Sequence, residues 1–108
     1  MRRFVTLSQR RDIDLLLRRG ARQDNGLFLV RSLPAHGKVW RVVMITPKKV
    51  FRHAVDRNRV TRRCRAFLDQ YLVDQPPRDI AFLPRPAALT ASWEEFSAAL
   101  RALLDAAA

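Results

Sequence analysis

The sequence predicts an α+β fold, with a mixed sheet of about four strands and three helices in one domain, residues 1–108. Two observations predict it. Three segments carry the apolar spacing or the cap signals of helices, and three short apolar segments bounded by turn residues have the composition of strands. A chain of 108 residues, 48% of them hydrophobic, can bury a core without disulfides. The predicted order is helix, hairpin, helix, strand, helix.

The first predicted helix covers residues 9–19 and follows an extended lead-in, residues 1–6. Its apolar positions share one face: Ile13, Leu16 and Leu17. Ser8 is predicted to cap the helix through its hydroxyl. Gly20 is predicted to end the helix, because glycine takes a left-handed φ without penalty.

An antiparallel hairpin is predicted next. Residues 21–26 contain the turn signal Asp24-Asn25-Gly26, and two strands follow at 27–33 and 38–46, joined by a turn at 34–37. Both strands are nearly continuously apolar at their centres. We therefore expect a sheet that helix covers on one face and only partly covers on the other.

The longest predicted helix, residues 54–72, has an apolar side and a cationic side. Its apolar side carries Val60, Cys64, Phe67, Leu68 and Tyr71. Its opposite side carries Asn58, Arg59, Arg62 and Arg65. Arg57 lies in the first turn nearer the apolar side, and Arg63 lies on a flank.

A strand at 80–83 and a helix at 93–105 complete the chain. Because the strand follows a long helix, we expect it to pair in parallel with an earlier strand. Ser92 and Glu95 have the spacing of a capping box. The residues predicted to face inward from the last helix are Trp93, Phe96, Leu100, Leu103 and Leu104.

The charge is the strongest compositional signal. The formal net charge is +11, and residues 48–65 hold eight basic residues against one acid, Asp56. Such a surplus on a small domain predicts a polyanionic partner, above all nucleic acid. Of the 21 basic residues 18 are Arg, which binds phosphate bidentately and stacks on bases, although a GC-rich genome produces the same excess. The cationic helix face lacks acidic partners at i+4, which favours neutralisation by a bound anion over a merely solvated face.

The sequence contains no pattern that predicts a metal site, a catalytic site or a membrane span. His36 and His53 fall in predicted loops without ligands at metal spacing, so we predict no metal site in the protein. Cys64 falls on the apolar side of its helix, where a buried structural thiol is expected, and we predict no catalytic residue. No apolar run approaches the roughly 20 residues of a membrane span, and no signal peptide is expected at residues 1–6. A single cysteine suits a reducing cytoplasm.

The ordered motifs resemble the protein subunit of bacterial ribonuclease P over nearly the whole chain. The matching residues are Gly20, Lys48-Lys49, Ala54-Val55, Arg57-Asn58-Arg59, Arg62, Arg63, Arg65, Asp79-Ile80 and Arg85-Pro86. The chain departs from the family pattern in having no glycine after the Lys pair. Ile13 and Leu17 stand where many members carry aromatic residues, so any contact with single-stranded RNA there should rely more on charge than on stacking.

The resemblance implies a two-layer α/β sandwich with a left-handed βαβ crossover at the basic helix, where the general rule would predict a right-handed one. It also implies that an RNA subunit is the catalyst and removes the 5′ leader of precursor tRNA with magnesium bound mainly by that RNA. The protein would be a cytoplasmic monomer in a holoenzyme of one protein and one RNA, without a membrane partner.

The resemblance also assigns roles by position. The residues expected to contact the catalytic RNA are Lys48, Lys49, Arg52, Arg57, Asn58, Arg59, Arg62, Arg63 and Arg65. The residues expected in a leader cleft between the sheet and the basic helix are Ile13, Leu17, Phe28, Arg31 and Met44. Two alternatives stay open from the residues alone: a general RNA-binding or ribosome-associated protein without a role in cleavage, and a nuclease that acts without RNA.

Overall fold

The computed structural model describes residues 4–35, 37–71 and 76–106. Within them the chain forms five strands in one mixed sheet and four helices. In chain order these are β1 (Phe4–Thr6), α1 (Arg10–Arg19), β2 (Ala21–Asp24), β3 (Phe28–Pro34), β4 (Trp40–Met44), α2 (Ala54–Tyr71), β5 (Arg78–Pro84), α3 (Ala87–Thr90) and α4 (Trp93–Ala106). The α+β class and the mixed sheet are confirmed, with one strand and one short helix more than predicted. His36 and the predicted helix end at Leu72 lie outside the described residues.

The strand order is β1-β4-β5-β3-β2. β5 lies between β3 and β4, antiparallel to β3 and parallel to β4. The predicted hairpin is therefore wrong, although both of its strands form, whereas the parallel pairing of the later strand is confirmed. β5 takes the central position because all of its residues except the half-buried Leu83 are buried. The handedness of the β4–α2–β5 crossover stays a prediction.

β2 is the strand that the sequence did not predict. It lies in the segment predicted as a turn, and it pairs antiparallel with β3 at the edge of the sheet. Its residues are polar and largely exposed, so it carries no alternating apolar signal. The turn that follows is closed by Asn25, whose side-chain oxygen accepts hydrogen bonds from the backbone N–H groups of Leu27 and Phe28 at 2.9 and 3.0 Å.

The two faces of the sheet are covered unequally. On one face α2 and α4 enclose a large core whose fully buried aromatic side chains are Phe28, Phe67, Phe82 and Phe96. On the other face α1 packs through Leu16 against Ala81, and its neighbours Ile13 and Leu17 are only half-buried. The expectation of one covered and one partly covered face is confirmed, and the partly covered face leaves apolar surface open beside α1.

The structure changes the physical explanation predicted for both ends of α1. α1 begins after Gln9 without a side-chain cap, so the Ser8 cap is wrong. Gly20 ends α1 as predicted, but its φ is −64°, which is not left-handed. A Cβ at Gly20 would lie 2.5 Å from the backbone oxygen of Leu16 and 3.1 Å from the backbone nitrogen of Ser32. Glycine is favoured here because a side chain would meet the last turn of α1 first and the neighbouring strand β3 second.

The start of α4 confirms one prediction and corrects another. The Glu95 N–H donates to the Ser92 hydroxyl at 3.1 Å, which is the first bond of a capping box, whereas the Glu95 carboxylate accepts from the Ser92 hydroxyl at 3.0 Å and not from the Ser92 N–H that the full box uses. Trp93 does not face inward. It stays 39% exposed in the first turn, although Phe96 and the three leucines are buried as predicted.

Candidate nucleic-acid interface

The long helix α2 separates apolar and cationic side chains as its periodicity predicted. Its buried residues are Val60, Cys64, Phe67, Leu68 and Tyr71, which pack on the sheet. Its exposed polar residues include Asn58, Arg59, Arg62 and Arg65. Together with the exposed Lys48, Lys49 and Arg52 of the preceding connection, these side chains form the surface that we call the basic face.

Arg57 holds the Lys pair against the start of α2. Its guanidinium donates to the backbone oxygens of Phe51 at 2.7 Å and Arg52 at 3.3 Å. The Phe51 side chain is buried, and its N–H donates to the Pro47 oxygen at 2.9 Å, which closes a turn around Lys48 and Lys49. The connection is thus fixed without a glycine. Arg57 keeps the lysines beside the first turn of α2, and its own hydrogen bonds are directed into the protein.

Arg63 also directs its guanidinium into the protein. It donates to the backbone oxygens of Ala88 at 2.9 Å and Ala91 at 2.6 Å, and its central carbon lies 4.4 Å from the ring centre of Phe96. These contacts fasten α2 to the segment that joins α3 and α4. In this structure its guanidinium connects helices, as its position on the flank of α2 allows. The contact with RNA expected for Arg63 stays a prediction.

The residues expected in one leader cleft lie on two faces of the sheet. Ile13 and Leu17 are on α1, and the guanidinium of Arg31 donates to the Gly20 oxygen at 3.2 Å on the same side. Phe28 is fully buried on the opposite face, in the core under α2 and α4. Met44 packs against that same core. The five residues therefore do not form a single cleft, because successive side chains of a strand point to opposite faces.

Met44 instead lines a separate cavity beside α2. The cavity has a volume of about 220 Å³ and lies between β1, β4 and α2, with Thr61 and Arg65 among its lining residues. It opens next to the basic face. Only Met44 and Arg65 of the predicted site residues take part in it.

The groove beside α1 contains residues that the sequence reasoning missed. Val43, Ile45 and Leu83 are half-buried on the same face as Ile13 and Leu17. Alternation along β4 and β5 could have found them, since Val42, Ile80 and Phe82 are buried on the other face. The groove thus has an apolar floor, with Arg31 as a basic residue on the same face.

An ion-pair network positions α1 over the sheet. Arg41 of β4 donates to both carboxylate oxygens of Asp79 on β5, at 2.9 and 2.6 Å, and to the carboxylate of Asp12 on α1 at 3.2 Å. The hydrogen bonds to Asp79 raise the pKa of Arg41 above its ordinary value. A second pair links β2 to the residue after β5: Arg85 donates to Asp24 and lowers the pKa of that carboxyl.

Cys64 and Tyr71 are buried in the core and have structural roles. Burial raises the pKa of the Cys64 thiol, which makes it a poor nucleophile. Burial, with the hydrogen bond that Tyr71 donates to Asp105 at 2.6 Å, raises the pKa of Tyr71 to about 12. Within residues 4–35, 37–71 and 76–106, no three His, Cys, Asp or Glu side chains form a group that could hold a metal ion. Among the helices in these ranges, none is long and apolar enough to cross a membrane.

An α+β sandwich that presents one arginine-rich helix face has the features of a nucleic-acid-binding protein. The chain belongs to the Ribonuclease P family, whose model matches residues 1–108. It has a role in the 5′ processing of tRNA, as the protein subunit of an endoribonuclease that is a ribonucleoprotein. Its partner is an RNA subunit, and the protein subunit alone is not the catalyst.

Solved structures of bacterial RNase P proteins share the fold. The protein of Staphylococcus aureus matches with a TM-score of 0.83 at 20% identity, over 94% of each chain. A mutant of that protein with defective mRNA degradation activity matches with a TM-score of 0.84 at 21% identity, over 94% of this chain and 86% of that one. The protein of Thermotoga maritima matches with a TM-score of 0.77 at 23% identity, over 91% of this chain and 94% of that one.

Proposed function

We propose that residues 1–108 act as one RNA-binding domain that holds the catalytic RNA of ribonuclease P on the basic face. The observation that carries this proposal is the division of α2 into a buried apolar side and an exposed cationic side. Arg59, Arg62 and Arg65 are exposed, and none of them makes a hydrogen bond or ion pair with the described part of the chain. Guanidinium groups left available in this way suit bidentate contacts to phosphates.

The groove beside α1 is the proposed contact for the 5′ leader of precursor tRNA. Ile13 and Leu17 supply apolar surface, and Arg31 supplies charge on the same face of the sheet. Single-stranded RNA binds where apolar or aromatic surface adjoins positive charge. Phe28, which is fully buried on the other face, supports the fold and is not part of this contact.

Magnesium belongs to the RNA in this proposal. The protein contributes binding and orientation of the RNA partners. We further propose a cytoplasmic holoenzyme of one protein and one RNA.

Reconstitution of cleavage tests this function. Purified protein is incubated with precursor tRNA in magnesium buffer, with and without a bacterial ribonuclease P RNA. We expect release of the 5′ leader only when the RNA is present, and faster cleavage at low magnesium with the protein than without it. Cleavage by protein alone, or no effect of the protein on the RNA-catalysed rate, would contradict the proposal.

A further inference from the structure

Trp93 is a large aromatic side chain left partly in solvent at the start of α4. Its indole stacks on the ring of Phe96, with 5.7 Å between ring centres and 15° between ring planes. Phe96 is fully buried, whereas Trp93 is 39% exposed. The rings are offset, so Phe96 covers part of one face of the indole and the rest of the ring can be reached from solvent. Leaving this apolar surface in water forgoes the stabilisation that burial would give.

The indole is held by a rigid support. Phe28 contacts Phe96 edge-on, with ring centres 5.0 Å apart and planes at 85°. The guanidinium of Arg63 lies on the same Phe96 ring and is fixed by the backbone oxygens that accept from it. The Ser92–Glu95 cap fixes the backbone on either side of Trp93. A ring held in this way loses little conformational freedom when it stacks on a ligand.

The position of this ring beside the basic face suggests its ligand. Arg63 fastens α2 to Ala91, two residues before Trp93. Arg59 lies one helical turn before Arg63 on α2 and is exposed, so its positive charge lies on the part of the helix surface next to that flank. An aromatic face beside arginine is the combination that binds unpaired nucleotides, the ring stacking on the base and the guanidinium pairing with phosphate.

We propose that Trp93 stacks on an unpaired nucleobase of the RNA that binds the basic face, and that Arg59 contacts an adjoining phosphate. This inference rests on the proposed function and adds a base contact to it. Arg63 is a positioning residue, since it holds the α3–α4 segment and the Phe96 ring in place. The interface thereby extends from α2 to the start of α4, a part of the chain in which the sequence showed only core positions.

The affinity for ribonuclease P RNA tests the stacking contact. Trp93→Leu keeps an apolar cover on Phe96 without an aromatic face, and Trp93→Phe keeps a smaller ring. We expect the Leu variant to bind about tenfold more weakly and the Phe variant to lie between it and the wild type. The dependence of affinity on salt should stay unchanged, because no charge is removed. Val39→Ala, at an apolar residue that is 43% exposed just before β4, is the control and should bind normally.

Tryptophan fluorescence gives a second readout that needs no loss of affinity. The chain has two tryptophans, of which Trp40 is buried and Trp93 is exposed. A base stacked on an indole quenches its emission, so saturating RNA should quench the wild-type protein and shield it from acrylamide. The emission of Trp93→Phe, which comes from Trp40 alone, should not change with RNA.

The outcomes separate this inference from the proposed function. Wild-type affinity in the Leu variant, with Trp93 emission unaffected by bound RNA, would overturn the stacking contact while leaving the proposed function in place. A wild-type protein that does not bind the RNA would overturn both. Thermal unfolding of each variant is measured alongside, and the Phe variant and the fluorescence readout decide the question if the Leu variant does not fold.

Discussion

Gly20 lies where α1 meets β3, and the absence of a side chain there lets the two elements approach. The sequence predicted a helix end at this glycine for its conformational freedom, but the backbone is in an ordinary extended conformation. What glycine supplies is space, because the backbone oxygen of Leu16 occupies the position that a Cβ would need. This oxygen belongs to the last turn of α1 itself, and the backbone nitrogen of Ser32 on β3 adds a second, distant neighbour at 3.1 Å that the local sequence does not show.

Gly20→Ala should lower the free energy of unfolding by about 1–3 kcal/mol, the usual range for overpacking a closely packed site. Urea unfolding followed by circular dichroism measures it. Gly26→Ala is the matched control, since a Cβ at Gly26 meets no atom within 4 Å. The control should change stability by less than about 1 kcal/mol in either direction. Equal effects of the two substitutions would show that close approach is not the reason for glycine at position 20.

Arg63 and Trp93 show which properties of single residues could be predicted from the sequence and which could not. Helical periodicity placed Arg63 on the flank of α2 and the leucines of α4 in the core, and the structure agrees. It could not show that Arg63 binds backbone oxygens 25 or more residues away, or that Trp93 rests on Phe96 outside the core. Both depend on how α3 and α4 pack against α2, which local spacing does not encode.

At the scale of elements, the positions of the strands along the sequence were easier to predict than the pairing of the strands in the sheet. Segments with β-branched and aromatic residues became β3, β4 and β5, but two strands close in sequence did not form a hairpin. The more buried β5 lies between them and hydrogen-bonds to both. The edge strand β2 is polar and pairs only on one side, so its sequence resembles a turn. Strand order follows from total burial, a property of the whole sheet.

The pairing of β4 with β5 carries a buried charge pair that joins α1 to the sheet. Arg41 and Asp79 are directly opposite each other in the parallel register, and the Asp79 side chain is only 9% exposed. Arg41→Met would leave that carboxylate without its cation, and we expect a loss of about 3 kcal/mol in the free energy of unfolding. The measurement is urea unfolding at pH 7.

A second substitution makes this prediction specific. Asp79→Asn in the Arg41→Met background removes the unpaired charge and should restore part of the lost stability, so that the two changes are strongly non-additive. Single and double variants form a double-mutant cycle. Strict additivity in that cycle would mean that the Arg41–Asp79 ion pair contributes no coupling between β4 and β5.

At the scale of the whole molecule, the order of motifs predicted the family, and the charge predicted the class of partner. The leader cleft was harder, because its five expected residues came from β3, β4 and α1 without knowledge of which face each strand residue takes. Phe28 and Met44 fall on the α2 side, and Ile13, Leu17 and Arg31 on the α1 side. The register of a strand decides which face of the sheet each of its side chains takes. The pairing of β5 with both β3 and β4 decides the register of these two strands.

The net charge of +11 acts on RNA binding through counterions displaced from phosphates. Arg59→Ala together with Arg62→Ala removes two exposed guanidiniums from the basic face without removing a hydrogen bond described within the protein. Affinity for ribonuclease P RNA should fall, and the slope of log affinity against log salt should shrink by about 2, one unit for each phosphate contact.

The control removes the same charge elsewhere. Arg10→Ala with Arg11→Ala takes two exposed arginines from the start of α1, where Arg10 pairs only loosely with Asp14 at 4.0 Å. Because neither lies on the basic face, this variant should keep nearly the wild-type slope, and both variants should unfold at the wild-type temperature. A slope that depends only on the number of charges removed, and not on where they lie, would mean that the RNA is attracted by net charge alone and that α2 provides no defined contact.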